Sequence, residues 1–227
     1  GAGRAHRNAY SLVNAPGSRS RYDIIVRRVA ASRGGSVAVH ERLQVGDALQ
    51  AQWPANLFAP VRGARRHLMI AGGIGITPFL SYLQDGAVRQ AGCELHVCCR
   101  EEERGVFAPW LPADAPVSFH WDADGHRLDI AALLARQPAG THLYVCGPQG
   151  FMDAVLSTAR AQGWPEERLH HEYFSAAPAD TAGDGSFEME VASTGQVITV
   201  APAQTALQAL LAAGFDIPMS CEQGVCG

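Results

Sequence analysis

Met69-Ile70-Ala71-Gly72-Gly73-Ile74-Gly75-Ile76-Thr77-Pro78 is the stretch that decides the fold. The apolar run from His67 to Ala71 reads as a buried strand. It breaks into a glycine turn and then enters a helix whose first turn holds Thr77 and Pro78. Proline suits the first helical position, where its missing donor is not needed. Glycines let the backbone come within van der Waals reach of a ligand, and the first N–H groups of a helix attract anions. Such a corner fits a nucleotide pyrophosphate. It departs from the Gly-x-Gly-x-x-Gly fingerprint, because Pro78 stands where the third glycine would be. A tight strand-to-helix turn with no ligand explains the same residues.

A second segment of the same kind lies further on. His142 to Cys146 is strand-like and ends in Gly147-Pro148. A helix follows in which Phe151, Met152, Val155, Leu156 and Ala159 share one face. Ligands of open α/β sheets sit beyond the carboxyl ends of the strands, so Cys146-Gly147-Pro148 belongs at the same rim as Gly72 to Thr77. An inert core thiol is the alternative for Cys146, since free cysteine is often buried.

Composition narrows the function. The 227 residues exceed one typical domain and can bury a sizeable core. A formal net charge of −4 leaves no basic footprint for nucleic acid. No apolar run approaches the ~20 residues that span a bilayer, so no membrane role is expected. All 18 basic residues are arginine, which removes P-loop lysine and Schiff-base chemistry. Six cysteines without a secretory segment point to a reducing, cytoplasmic setting.

Four regions follow from the patterning. Residues 1–60 read as β-rich, with strands at Tyr22 to Arg28 and Asp47 to Trp53 and a short helical stretch from Gly34 to Leu43. Residues 61–174 alternate: strands at 67–71, 93–99, 117–121, 142–146 and 168–173, helices at 77–90, 128–137 and 149–162. That rhythm predicts a parallel sheet with helices on both faces. Residues 175–186 are small, polar and turn-prone, a linker. From 187 to 227 a hairpin (Phe187 to Val191, Val197 to Val200) and a short helix (Leu207 to Ala213) precede Cys221-Glu222-Gln223-Gly224-Val225-Cys226-Gly227. Cys-x4-Cys opens the plant-type iron–sulfur spacing, of which Cys221 and Cys226 are two of four ligands. Two cysteines five apart also occur by accident.

Five motifs in this order resemble the phthalate dioxygenase reductase family: Asn8-Ala9-Tyr10-Ser11-Leu12, Arg33-Gly34-Gly35-Ser36, Gly72 to Pro78, Cys146-Gly147-Pro148 and the Cys221 loop. Members are FMN- and NADH-dependent reductases with a C-terminal plant-type ferredoxin domain, serving Rieske oxygenases and demethylases. The resemblance covers essentially the whole chain. It implies a multi-domain fold: a partial β-barrel flavin domain (1–60), a ferredoxin-reductase-like α/β NAD domain (61–174) and a partial α+β ferredoxin-like domain (187–227). It also implies an internal piece of a longer protein. One departure concerns the flavin motif, where Asn8 replaces the usual arginine and leaves Arg7 or Arg27 to supply positive charge.

The resemblance also assigns residues. Tyr10, Ser11 and Leu12 lie against the isoalloxazine, with Tyr22, Ile25, Val26 and Arg27 lining the same pocket. Arg33, Gly34, Gly35 and Ser36 cradle the FMN phosphate, and Phe174 covers the flavin. Gly72, Gly73, Gly75, Thr77, Arg100, Cys146, Gly147 and Pro148 receive NADH. Acidic groups in Arg100-Glu101-Glu102-Glu103-Arg104 favour NADH over NADPH, although a solvated charged loop explains that run equally well. Ser11, Thr77 and Cys146 are the residues nearest the chemistry. Core packing is the alternative for Tyr10 and Phe174, and an ordinary turn is the alternative for Arg33 to Ser36. The expected function is hydride transfer from NADH to FMN, then single electrons through a 2Fe-2S cluster to a Rieske-type oxygenase. A stand-alone flavin reductase and a non-catalytic nucleotide-binding fragment are the other two readings.

Overall fold

The computed structural model describes residues 8–29, 34–121, 125–174, 183 and 185–217. The chain divides after Phe174 into two compact units. The first is built on strands β1 (Arg66–Gly72), β2 (Cys93–Cys98), β3 (Val117–His120), β4 (Thr141–Cys146) and β5 (Leu169–Glu172). All pair in parallel, in the order β3-β2-β1-β4-β5. Each of the five strands read from the sequence is present within two residues of its predicted ends.

The helices of this unit are α1 (Gly35–Glu41), α2 (Thr77–Tyr82), α3 (Gly86–Ala91), α4 (Arg104–Phe107), α5 (Ile130–Ala135) and α6 (Gln149–Ala161). Alternation along the strands sends side chains to two cores. Leu68, Ile70, Leu143 and Val145 pack with Leu133 and Leu134 of α5 and Met152, Val155, Leu156 and Ala159 of α6. Met69, Ala71, Leu95, Val97, Tyr144 and Cys146 pack on the opposite face with Phe79, Leu80, Leu83, Val88 and Phe58. Sheets covered on both faces need near-continuous apolar strands, and Leu68 to Ala71 is wholly buried.

One helical reading and one loop reading change. The single helix expected over 77–90 is broken, because Asp85 leaves the helical conformation and accepts from the Ala87 N–H at 2.8 Å, starting α3 afresh. The charged run after β2 forms a 3-10 turn (Glu101–Glu103) and α4, whose Phe107 reaches the core.

Residues 8–60 hold fewer strands than expected. The Tyr22 to Arg28 strand reduces to one antiparallel bridge between Leu12 and Ile24. Asp47 to Trp53 forms no strand, and Leu49 and Trp53 are 71% and 91% exposed. A strand persists only where a neighbour takes its N–H and C=O groups, and no described residue pairs with this segment.

The second unit contains an antiparallel hairpin of β6 (Phe187–Val191) and β7 (Gln196–Val200), then α7 (Ala206–Ala212). Gly195, at φ +70°, closes the turn. Thr205 and Gln208 cap α7 reciprocally, and Ala209 packs on Ile198 and Val200. The linker lies largely outside the described residues.

Candidate functional site

The sheet order creates the site. After β1 the chain crosses to the Met69–Tyr144 face, where α2 and α3 pack. After β4 it crosses to the Leu68–Val145 face, where α6 packs. Neighbouring strands whose connections leave on opposite faces open a crevice at their carboxyl ends. That crevice is where Gly72–Ile76 meets Cys146–Pro148.

The glycines there meet different neighbours. A Cβ on Gly75 would overlap the Cys146 carbonyl and lie 2.7 Å from the Gly147 nitrogen. One on Gly147 would reach the Gly72 nitrogen and Cα at 2.9 Å, and one on Gly72 would reach Pro148 Cδ at 2.8 Å. So Gly72, Gly75 and Gly147 let the two loops pack on each other. Gly73, at φ +53°, is more open: among the described residues a Cβ there would meet only Arg27 and Glu103 within 4 Å. Neither the 3-10 turn Gly73–Ile76 nor α6 carries a side-chain cap. Their first N–H groups, side by side at one rim, fit a pyrophosphate.

Thr77 is buried, and its hydroxyl donates to the Ile74 carbonyl at 3.1 Å, holding the turn. Cys146 lies at the rim by its backbone alone. Its side chain is fully buried, and burial, reinforced by Glu172, pushes the thiol strongly up. Arg100 is exposed, and its backbone N–H donates to Glu103 Oε2 at 3.1 Å. Pro148 is the exposed residue that leads into α6.

The flavin-side residues join the same unit. The Val13 carbonyl accepts from Gln84 Nε2 at 2.8 Å, and Val13 and Ile25 pack on the core beneath α2. Ser11 Oγ donates to Glu172 Oε2 at 3.3 Å, and Glu172 pairs with Cys146 across β4 and β5. Ser11, Glu172, Cys146 and Gly75 thus form one line from the flavin motif to the glycine turn. Burial raises the Glu172 carboxyl, and the Ser11 hydrogen bond partly offsets this. Sequence reasoning missed Glu172. The available signal was its place at the carboxyl end of a strand sharing the same rim.

The remaining candidates are more scattered. Tyr10 is half-buried, and its hydroxyl accepts from Asn8 Nδ2 at 3.3 Å. Leu12 bridges Ile24, and the Val26 carbonyl meets His40 Nε2 at 2.7 Å. Gly34, at φ +102°, leads into α1 without a side-chain cap. A Cβ on Gly35 would overlap the Asn8 amide, and Ser36 Oγ accepts from the Val29 N–H at 3.2 Å. Phe174 is exposed. Arg27 places its guanidinium near Gly73. Arg33, Cys221 and Cys226 lie outside the described residues.

Residues 48–169 match the family described as dimethylamine monooxygenase subunit DmmA-like, N-terminal domain, and residues 189–227 match the 2Fe-2S iron-sulfur cluster binding domain. The chain is 54% identical to vanillate O-demethylase oxidoreductase of Pseudomonas sp. (strain HR199 / DSM 7063), over 96% of this chain and 70% of that protein. It is 43% identical to the heme-dependent oxidative N-demethylase beta subunit of Ectopseudomonas mendocina (strain ymp), over 97% and 71%. The solved structure of phthalate dioxygenase reductase superposes with a TM-score of 0.73 at 30% identity, covering 97% of this chain and 70% of that one. The chain therefore belongs to the phthalate dioxygenase reductase-like family, with a DmmA-like region followed by a 2Fe-2S ferredoxin domain.

Proposed function

We propose that this chain works as the NADH-dependent reductase component of an oxygenase system. It is an oxidoreductase, and the oxygenase it serves is of the Rieske class. When bound, NADH supplies a hydride, FMN takes the electron pair and releases electrons singly, and the 2Fe-2S cluster carries them onward. The protein's part is binding and alignment. Gly73 and the uncapped start of α6 draw the dinucleotide phosphates to the switch point. Glu172 orients the Ser11 hydroxyl at the flavin edge. Cys146, with its thiol protonated and buried, shapes the floor between the two ligands rather than acting as a nucleophile. Thr77 fixes the turn that presents Gly73.

The observation that carries this reading is the Ser11–Glu172 hydrogen bond beside Cys146, which ties the flavin motif to the nucleotide rim within one compact unit. Cys221 and Cys226 are cluster ligands in this reading. A cytoplasmic setting agrees with the free thiols at Cys93, Cys99 and Cys146. No helix among the described residues is long and apolar enough to cross a membrane.

The test is anaerobic titration of the FMN-reconstituted chain with NADH, followed by its visible spectrum. Stoichiometric loss of flavin absorption supports the proposal. A chain that retains no flavin, or retains it without bleaching, refutes it. A heme-containing partner, as in the name of the N-demethylase relative, is separated from a Rieske partner by which oxygenase accepts electrons from the reduced chain.

A further inference from the structure

Arg27 and Glu103 meet directly over the glycine turn. Arg27 belongs to the extended flavin-side segment, Glu103 to the 3-10 turn after β2, and their side chains approach at 3.8 Å (Nη2 to Oε1). A Cβ on Gly73 would lie 3.8 Å from Arg27 Nη1 and 4.0 Å from Glu103 Oε2. The two partners are not held equally. Glu103 also accepts from the Arg100 N–H, which fixes its carboxylate to its own turn. The Arg27 side chain is 47% exposed against 24% for Glu103 and carries the looser end of the pair.

An anion arriving at the Gly73 N–H finds a guanidinium already in place, but shared with a carboxylate. Partly exposed ion pairs are weak, and a pyrophosphate offers a guanidinium two charges and a matching fork of oxygens. We propose that Arg27 is a phosphate ligand for the incoming dinucleotide and that Glu103 is its place-holder, giving up the guanidinium when the pyrophosphate binds. The carboxylate pre-positions Arg27 over the turn and at the same time competes with the ligand, so dinucleotide affinity is held below what the site alone would give. This inference rests on reading the rim as the dinucleotide site.

Isothermal titration of the full chain with ADP-ribose, which carries the pyrophosphate without the reacting ring, tests it independently of turnover. Glu103→Gln keeps an oxygen for the Arg100 N–H and removes the competing charge, so its Kd should fall several-fold. Arg27→Gln should raise Kd about tenfold and flatten the dependence of affinity on salt. In the Arg27→Gln background, Glu103→Gln should have almost no effect. If Glu103→Gln tightens binding equally in both backgrounds, it acts only as a distant charge and the exchange is refuted. If the wild-type chain binds ADP-ribose and Glu103→Gln leaves Kd unchanged, the exchange alone fails. If the wild-type chain binds no ADP-ribose, the dinucleotide reading falls with it.

Discussion

Substituting Gly75 by alanine isolates the seam between the two loops. No positive φ is required at this position, so alanine is conformationally acceptable and in isolation would gain about 0.5–1 kcal/mol from reduced unfolded-chain entropy. The added methyl, however, would overlap the Cys146 carbonyl and come within 2.7 Å of the Gly147 nitrogen. These obstacles are backbone atoms of a strand end, with no rotamer by which to move away. Overpacking costs about 1–3 kcal/mol where side chains can yield, so the upper end applies here. The net loss is about 2 kcal/mol, and at about 2–4 °C per kcal/mol for a chain of this size the Tm should fall by about 4–8 °C. Because the same step parts β1 from β4 at the crevice, ADP-ribose affinity should weaken too. Gly105→Ala is the control: it meets nothing within 4 Å and needs no positive φ, so it should be neutral or slightly stabilising. Circular dichroism melts and calorimetric titration read both effects. A Gly75→Ala variant that melts at or above the wild type would refute the account of the seam.

Acid stability follows from five histidines. Burial lowers the pKa of His67, His96, His120, His142 and His170, so each stays neutral when folded and gains its proton more readily when unfolded. Their contribution is intact above about pH 6.5 and is lost as pH falls through the depressed folded values, at up to about 1.4 kcal/mol per pH unit for each group. The raised Glu172 carboxyl opposes this at lower pH, and melts at pH 8 and pH 5.5 should show a clear drop, with a flat profile excluding the idea. Tyr144→Phe keeps the ring contacts with Phe58 and Tyr82 but strips the Val61 N–H of its acceptor at 2.8 Å. It should cost about 1–2 kcal/mol in a denaturant titration. Native alkylation followed by mass spectrometry should leave Cys146 unmodified until the chain unfolds, and should modify Cys99, pushed up to about 11, only slowly near neutral pH. Ser11→Ala and Glu172→Ala should each slow NADH-dependent flavin reduction by about 5–30-fold, the worth of a hydrogen bond of about 1–2 kcal/mol. Because they share that bond, the double variant should lose little more than either alone.

Much of this molecule was legible as sequence, and the reason is periodicity. Leu68 to Ala71 and Leu143 to Cys146 are apolar without interruption because both sheet faces are covered, and Met152, Val155, Leu156 and Ala159 repeat at helical spacing because α6 covers only one. The switch-point loops announced themselves through Gly72–Gly75 and Gly147–Pro148. What the letters could not separate was the purpose of each glycine. Gly75 and Gly147 face backbone, Gly73 is more open, and that difference depends on a partner strand some seventy residues away.

Residues 8–60 failed for the opposite reason. Asp47 to Trp53 has a strand-like composition, but strandedness belongs to a pair, and no described segment lies beside it. Glu172 and Arg27 show the same dependence at the level of single side chains. Glu172 sits in an ordinary strand ending, His171-Glu172-Tyr173, and acquires a role only because Ser11, 161 residues earlier, is folded against it. Arg27 follows the apolar residues Ile25 and Val26, and its long side chain reaches the glycine turn and meets Glu103. Long, flexible charged side chains decouple a residue's chemistry from its backbone position. The functional line from Ser11 through Glu172 and Cys146 to Gly75 is therefore a property of tertiary contact: local pattern places its two ends, and only the packing of β5 beside β4 joins them.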